Sequence, residues 1–481
     1  MNFLRNESQY FLFFFLILIF FFITLNQGNY SDDFQFIIGI DLYNKIQSQS
    51  FLKLRDLLTI RSDGHFIPVG LLLFNFLPKN PISYHLVTCI FYFITSIYVF
   101  KLSKIIFKDK KISIIVAILF IMNLSISIKP LTWNCFNSHI INTMTGLGFI
   151  YYFLIAKLNS KSIYYVISIL LGVITVLNFE TGLIYPIILF FFLLIFYKEK
   201  KYTLLLLSLF PLSIYFIPIL FLKNNESILL TDRIFSSKVI DNFSYDLRSL
   251  IFESRARNAD RTFINYFLKL FDNILSVVNL SSLEFVMIKF YIEKKIFLLG
   301  SFILLVIFLL ISYFYLIISF FKEKLYKDKF FLKILIMFNI VLSIYSFVFF
   351  RKDINIGLSV FGAILLGYVL KLFIKNNFSK FIYLIIIFIF PTIIYAMTKF
   401  DYVYEMKSRN YIHEMNIVFN KNLDKDISNL NRHYFYQDYI FMHLNENYDK
   451  FKNDLAEYNY DSFWNFQENL FYDIKNVIEN N

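Results

Sequence analysis

Within Asn29-Tyr30-Ser31-Asp32-Asp33-Phe34-Gln35, two carboxylates stand side by side directly after the first long apolar run of the chain. Adjacent carboxylates repel, so one holds its proton more tightly than the other, which suits a base paired with an orienting or metal-binding neighbour. The plain alternative is a pair of solvated charges that ends a membrane helix. Further along, Arg61, His65, Lys129, Trp133, His139, Glu180, Arg351 and Lys352 flank the ends of apolar runs. Carboxylates can take an acceptor proton or hold a divalent cation, while Arg and Lys can neutralise a phosphate leaving group. Together these are the groups that transfer from a lipid-phosphate donor requires. Each also has an ordinary explanation: interfacial hydrogen bonding for His65 and His139, an aromatic anchor for Trp133, flanking charge for Lys129, Arg351 and Lys352. Glu180 is the more telling residue, because it is the lone acid in the apolar stretch 163–197 and an acid at membrane depth is costly unless a site uses it. Its Asn-Phe-Glu-Thr-Gly turn reaching water is the simpler account.

The elements that must position these groups follow from composition. With 58% hydrophobic residues, 64 Phe and a mean hydropathy of +0.58, the chain reads as an all-α polytopic membrane protein. The net charge of +12 does not imply nucleic acid, since the lysines cluster in short loops between apolar runs. Cys89 falls in an apolar run and Cys135 in a short loop, so neither a disulfide framework nor a cysteine metal site is expected.

The first run, 10–25, is too long and Phe-rich for a cleaved signal and reads as a retained helix. Spans are expected near 83–106, 112–128, 140–157, 163–178, 182–197, 202–222, 296–321, 330–350, 356–374 and 380–399, giving about eleven in all. Between the first two, Phe51, Leu54, Leu57 and Leu58 stand at helical spacing opposite Lys53, Arg55 and Asp56, as in amphipathic helices lying in the interface. The stretch 66–77 is too short to span and is closed by Pro78 and Pro81, so it reads as re-entrant or interfacial. The Lys-rich loops alternate along the chain and are expected in the cytoplasm, which puts every candidate group on the outer face. A membrane domain 1–399 is expected, with a first outer loop 26–82 and a later one 223–295, followed by a small helical outer region 400–481.

The order of one helix, an outer Asp-Asp, loop helices, His65-Phe66-Ile67-Pro68, then Asn80-Pro81-Ile82-Ser83-Tyr84-His85-Leu86-Val87 and a Lys-ended helix resembles the GT-C membrane glycosyltransferases. It is most similar to the dolichyl-phosphate-mannose-protein mannosyltransferase-like (family 39-like) branch. Lys129-Pro130-Leu131-Thr132-Trp133 and Phe179-Glu180-Thr181-Gly182 resemble segments of the same branch. The likeness runs over residues 1–200, and Thr88, Lys129 and Phe179 stand where the branch commonly has Asn, His and Lys. It implies transfer of a sugar from a polyprenyl-phosphate donor to a lipid, glycan or protein acceptor, with Asp32 or Asp33 as base. Arg61, His65, Arg351 and Lys352 would then hold donor phosphate, and Lys129, Trp133, His139 and Glu180 would line the substrate cavity. Asp32 and Asp33 are also the candidates for a divalent cation, Mg or Mn.

Two other functions fit the pattern. A polysaccharide polymerase or ligase also uses lipid-linked sugars, but relies on a large late outer loop. A transporter or flippase usually carries ionisable groups at the bilayer midplane, whereas these helices carry charge almost only at their ends. A bacterial inner membrane is expected because nothing marks an organelle. Asn-x-Ser sequons at Asn29, Asn225 and Asn242 keep the endoplasmic reticulum as the alternative.

Overall fold

The computed structural model describes residues 2–24, 34–58, 67–77, 80–123, 137–199, 201–221, 327–348 and 356–374, with short pieces between 270 and 321 and between 444 and 470. The described residues form helices and turns, with no strand among them. The helices are α1 (Asn2–Thr24), α2 (Gly39–Ile46), α3 (Leu54–Leu57), α4 (Pro68–Phe76), α5 (Pro81–Phe107), α6 (Lys110–Ile121), α7 (Asn137–Asn159), α8 (Ser162–Asn178), α9 (Ile184–Tyr197), α10 (Tyr202–Phe221), α11 (Lys329–Val348) and α12 (Ile356–Ile374). A π-helical turn, Phe34–Ile38, leads into α2, and a 3-10 turn, Glu180–Leu183, separates α8 from α9.

Helices occupy the places expected for spans from the first run to 202–222, and again at 330–350 and 356–374. Among the described residues two are long and apolar enough to cross a membrane, 82–107 and 137–159, so the expected eleven crossings are not reached there. The expected span 380–399 lies outside the described residues. Helix α6 ends at Ile121, short of the expected 128. Proline explains α4: Pro68 at the first helical position starts it, and at nine residues it extends only roughly 14 Å, half a bilayer core.

Helix packing joins α7 to α5, α8 and α9, α5 to α1 and α6, and α12 to α6 and α11. Charges sit at helix ends. Asp109 caps α6 by accepting from the Lys111 and Ile112 amides at 2.9 and 3.3 Å, and Asp328 accepts from Phe330 at 2.7 Å at the start of α11. Lys157 at the end of α7 pairs with Glu199 beyond α9. Within 223–295, Val277 is buried in the main helical core and its carbonyl accepts from Asn123 at 3.1 Å.

The first loop builds a second apolar cluster. Ile37, Ile40, Leu42, Tyr43, Leu52 and Leu57 are buried with Ile67, Leu71, Phe74 and Tyr84, and with Leu444, Tyr460, Phe463, Phe466 and Leu470 from the far end of the chain. The amphipathic reading of this loop is only partly matched. Phe51, Leu54 and Leu58 are exposed, but Leu57 faces inward and Asp56, expected on the polar face, is 3% exposed. With one turn in α3, the Asp56 carboxylate serves as its anchor, accepting from the Lys53 amide at 3.0 Å and the Tyr43 hydroxyl at 2.8 Å.

Candidate functional site

The Glu180 turn is made by a helix stopping abruptly. Helix α8 runs to Asn178, after which Phe179 is extended at φ −164° and ψ 153° and the chain tightens into the 3-10 turn, closed by Gly182 N–H donating to Phe179 O at 2.8 Å. Gly182 is required: a Cβ there would stand 2.0 Å from the Thr175 carbonyl oxygen.

Neutral polar side chains hold this turn from below. Asn142 on α7 donates to Phe179 O at 3.0 Å and to the Thr181 hydroxyl at 2.8 Å, which spends both of its amide protons on the turn. Its own Oδ1 accepts from Asn178 at 2.6 Å, and Asn178 gives its second proton to Ser138 O at 2.7 Å. His139 Nδ1 lies 3.3 Å from the Thr181 hydroxyl, and its ring meets Phe179 edge-on with centroids 4.6 Å apart. Tyr185, at the start of α9, donates to Thr143 at 2.9 Å, and Thr143 donates to His139 O at 2.9 Å. Amides and hydroxyls buried in a low-dielectric interior are directional and expensive to leave unpaired, so the turn has one orientation.

The same end of the bundle receives the first loop. Phe179 packs against the first-loop cluster. Gly70 of α4 lies so close to the end of α8 that a Cβ there would be 2.9 Å from Asn178 O. Tyr84 of α5 belongs to the loop cluster and donates to Phe74 O at 3.3 Å, while Asn137 of α7 donates to Tyr84 O at 3.3 Å and bonds Thr88. Thr88, which stands where the similar branch has Asn, thus ties α5 to α7.

Of the residues singled out in the sequence, His139 and the backbone of Glu180 are described, and they come together. His139 is buried, at 4% exposure, beneath the turn. Asp32, Asp33, Arg61, His65, Lys129, Trp133, Arg351 and Lys352 lie outside the described residues. Among the described residues no three His, Cys, Asp or Glu side chains stand close enough to hold a metal. Sequence reading did not single out Asn142, Asn178 or Thr181. The signal was there: Asn142 and Asn178 are amides inside long apolar runs, where a polar side chain needs a partner.

No family model matches the chain, and no curated protein matches it. The chain is similar to solved structures of the oligosaccharyltransferase of Archaeoglobus fulgidus. The apo form is 13% identical over 91% of this chain and 59% of that one, with a TM-score of 0.45. The complex with Zn and sulfate is 15% identical over 87% and 57%, with a TM-score of 0.47. The form with an inhibitory peptide and a dolichol-phosphate, there called AglB, is 13% identical over 93% and 60%, with a TM-score of 0.46. This chain spans 57% to 60% of the length of those proteins. A likeness this loose carries no chemistry over.

Proposed function

We propose that the chain is a GT-C-type membrane glycosyltransferase that moves a sugar from a polyprenyl-phosphate donor to an acceptor on the outer face. The reading rests on one observation: the turn that directly follows Asp32-Asp33 in the chain and the turn at Glu180 are packed at one place. The turn that follows Asp32-Asp33 is buried in a cluster against which Phe179, the neighbour of Glu180, is packed. Two carboxylate-bearing segments brought to one end of a helical bundle, with cationic segments adjoining them in the chain, form the base and leaving-group sides of a transfer site.

In this reading the acceptor oxygen attacks the anomeric carbon and its proton passes to the Asp32 carboxylate. The bond from that carbon to the phosphate oxygen breaks, with its electron pair staying on the phosphate. Arg61, His65, Arg351 and Lys352 hold the donor phosphate, Arg351 by a two-pronged guanidinium contact that Lys cannot copy. Asp33 orients Asp32 or holds a Mg or Mn ion, which would supply positive charge beside the departing phosphate. Glu180, Lys129 and Trp133 border the substrate, and His139 supports the turn from beneath. The C-terminal region 400–481 shares the outer face with the first loop.

The test is Asp32→Asn in purified protein. Loss of a base costs about a hundred- to ten-thousand-fold in rate, so transfer should collapse while the lipid donor still binds its cationic groups. For Asp33→Asn, a defect repaired by excess divalent cation marks a ligand and an unrepaired partial one marks an orienting neighbour. Near-normal transfer by the Asp32→Asn, Asp33→Asn double variant would overturn the catalytic reading of the loop.

A further inference from the structure

The tail residues between 444 and 470 do more than cover the first loop. Among the described residues they supply five of the fifteen buried members of its cluster, Leu444, Tyr460, Phe463, Phe466 and Leu470, so the loop has no complete core of its own. Phe463 and Phe466 are fully buried, and the ring of Tyr43 sits against both, at 5.8 and 5.4 Å between centroids. The Tyr43 hydroxyl, on the same side chain, donates to buried Asp56 and so carries the tail contact through to α3. Two hydrogen bonds pin the end of α2 as well. Gln47 donates to Tyr460 O at 3.3 Å, across 413 residues of sequence, and the Tyr448 hydroxyl donates to Lys45 O at 3.0 Å.

What the tail holds is the segment joined directly to the carboxylate pair. The π-helical turn begins at Phe34, the residue after Asp33, and runs without a break into α2. Ile37 on that turn and Ile40 on α2 are fully buried in the same cluster, and Phe36 stacks on Phe74 of α4 with centroids 5.3 Å apart. Among the described contacts of the turn and α2, those to α4 are apolar apart from one amide pair, Asn44 to Asn75 at 3.3 Å. Apolar contacts fix distance well and rotation poorly, because they have no preferred direction. To these contacts the tail adds aromatic packing against Tyr43 and two directional bonds at the end of α2.

We infer that the C-terminal segment is a positioning element of the transfer reaction, with Phe463 and Phe466 acting through Tyr43 to set where the Asp32-Asp33 pair stands. The inference rests on the catalytic reading of that pair. It assigns the tail residues no contact with substrate; their effect is on the geometry of the proton transfer, where a displacement of an ångström can cost about a hundredfold in rate.

The experiment uses the full-length protein with Cys89→Ser and Cys135→Ser, into which Gln47→Cys and Tyr460→Cys are placed and bridged by a short bis-thiol reagent. Bridging is expected to be fast in the parent and much slower in the Phe463→Ala, Phe466→Ala variant. Unbridged, that variant should lose about a hundredfold in kcat with little change in donor KM, and the fraction bridged after prolonged reaction should recover most of the loss. Undiminished kcat in the slowly bridging, unbridged variant would overturn the inference. So would a kcat defect that bridging leaves untouched, because that pattern belongs to a general loss of folding. If the double variant does not yield monodisperse protein, Tyr43→Phe, which removes the bond to Asp56 and keeps the ring, should lower kcat several-fold at unchanged donor KM, and an unchanged kcat would count against the proposal. Failure of the catalytic reading shows separately: the parent would bridge efficiently and transfer no sugar.

Discussion

The first loop and the Glu180 turn meet at one end of the bundle but are held by opposite means. The loop is held by apolar and aromatic packing, much of it against residues some four hundred positions later in the chain. The turn is held by a connected set of amides, hydroxyls and one imidazole drawn from α7, α8 and the turn itself. Packing gives cohesion without direction, whereas a hydrogen-bonded amide fixes orientation and tolerates no rotation. One region, the turn at Glu180, is thus set by directional bonds, and the other, the first loop, by what packs against it.

Substitutions can break either half of that contrast. Phe466→Ala should have the largest effect on stability, about 3–5 kcal/mol for a buried aromatic, appearing as faster amide exchange in α2 while the 178–183 turn stays protected. Asn142→Leu should do the reverse. It removes one bond each from the Phe179 carbonyl and the Thr181 hydroxyl, which keep Gly182 and His139 as partners, and leaves one Asn178 amide proton unpaired in the interior, about 1–3 kcal/mol in all, and should raise exchange at Thr181 and Gly182 but not at Ile40. Thr181→Val removes one hydroxyl from the same set and should cost about 1–2 kcal/mol, with the exchange change confined to the turn. Smallest of all, Asp109→Ala at the opposite end of α6 should cost about 1 kcal/mol through its lost cap and leave both regions unchanged. Because the two regions share no described hydrogen bond, Phe466→Ala and Thr181→Val should add; strong coupling between them in a double-mutant cycle would mean that the halves move as one.

Much of the fold was legible because long apolar runs leave the chain few options, and runs such as 356–374 became helices at the expected bounds. The short helix 68–76 was legible as an element too short to span, lying before Pro78 and Pro81. The carboxylate turn at Glu180 could be singled out because a lone acid in an apolar stretch is conspicuous. Its supporting Asn142 and Asn178 could not be ranked so easily, since an amide in an apolar run announces only that a partner exists, not which helix carries it. Asp56 was misread because a single-turn helix is governed by its capping needs rather than by periodicity. The tail contact had no local signature at all: Phe463 and Phe466 belong to a chain with 64 Phe, and nothing in their spacing points to Tyr43.

Helix α7 has a consequence for how the protein is made. Its buried face carries Asn137, Ser138, His139, Asn142, Thr143 and Thr145, and several of the partners that satisfy them, Thr175, Asn178, Thr181 and Tyr185, are synthesised after it. Helix α5, by contrast, presents Ile82, Leu86 and Ile90 on an exposed stripe and can rest in lipid as soon as it leaves the ribosome. A newly made α7 released alone into the bilayer would carry its polar groups among acyl chains. In the proposed multi-pass setting, biogenesis favours holding this segment at the insertion machinery until α8 and the first turn of α9 have emerged, so that the three segments are inserted as one assembled unit.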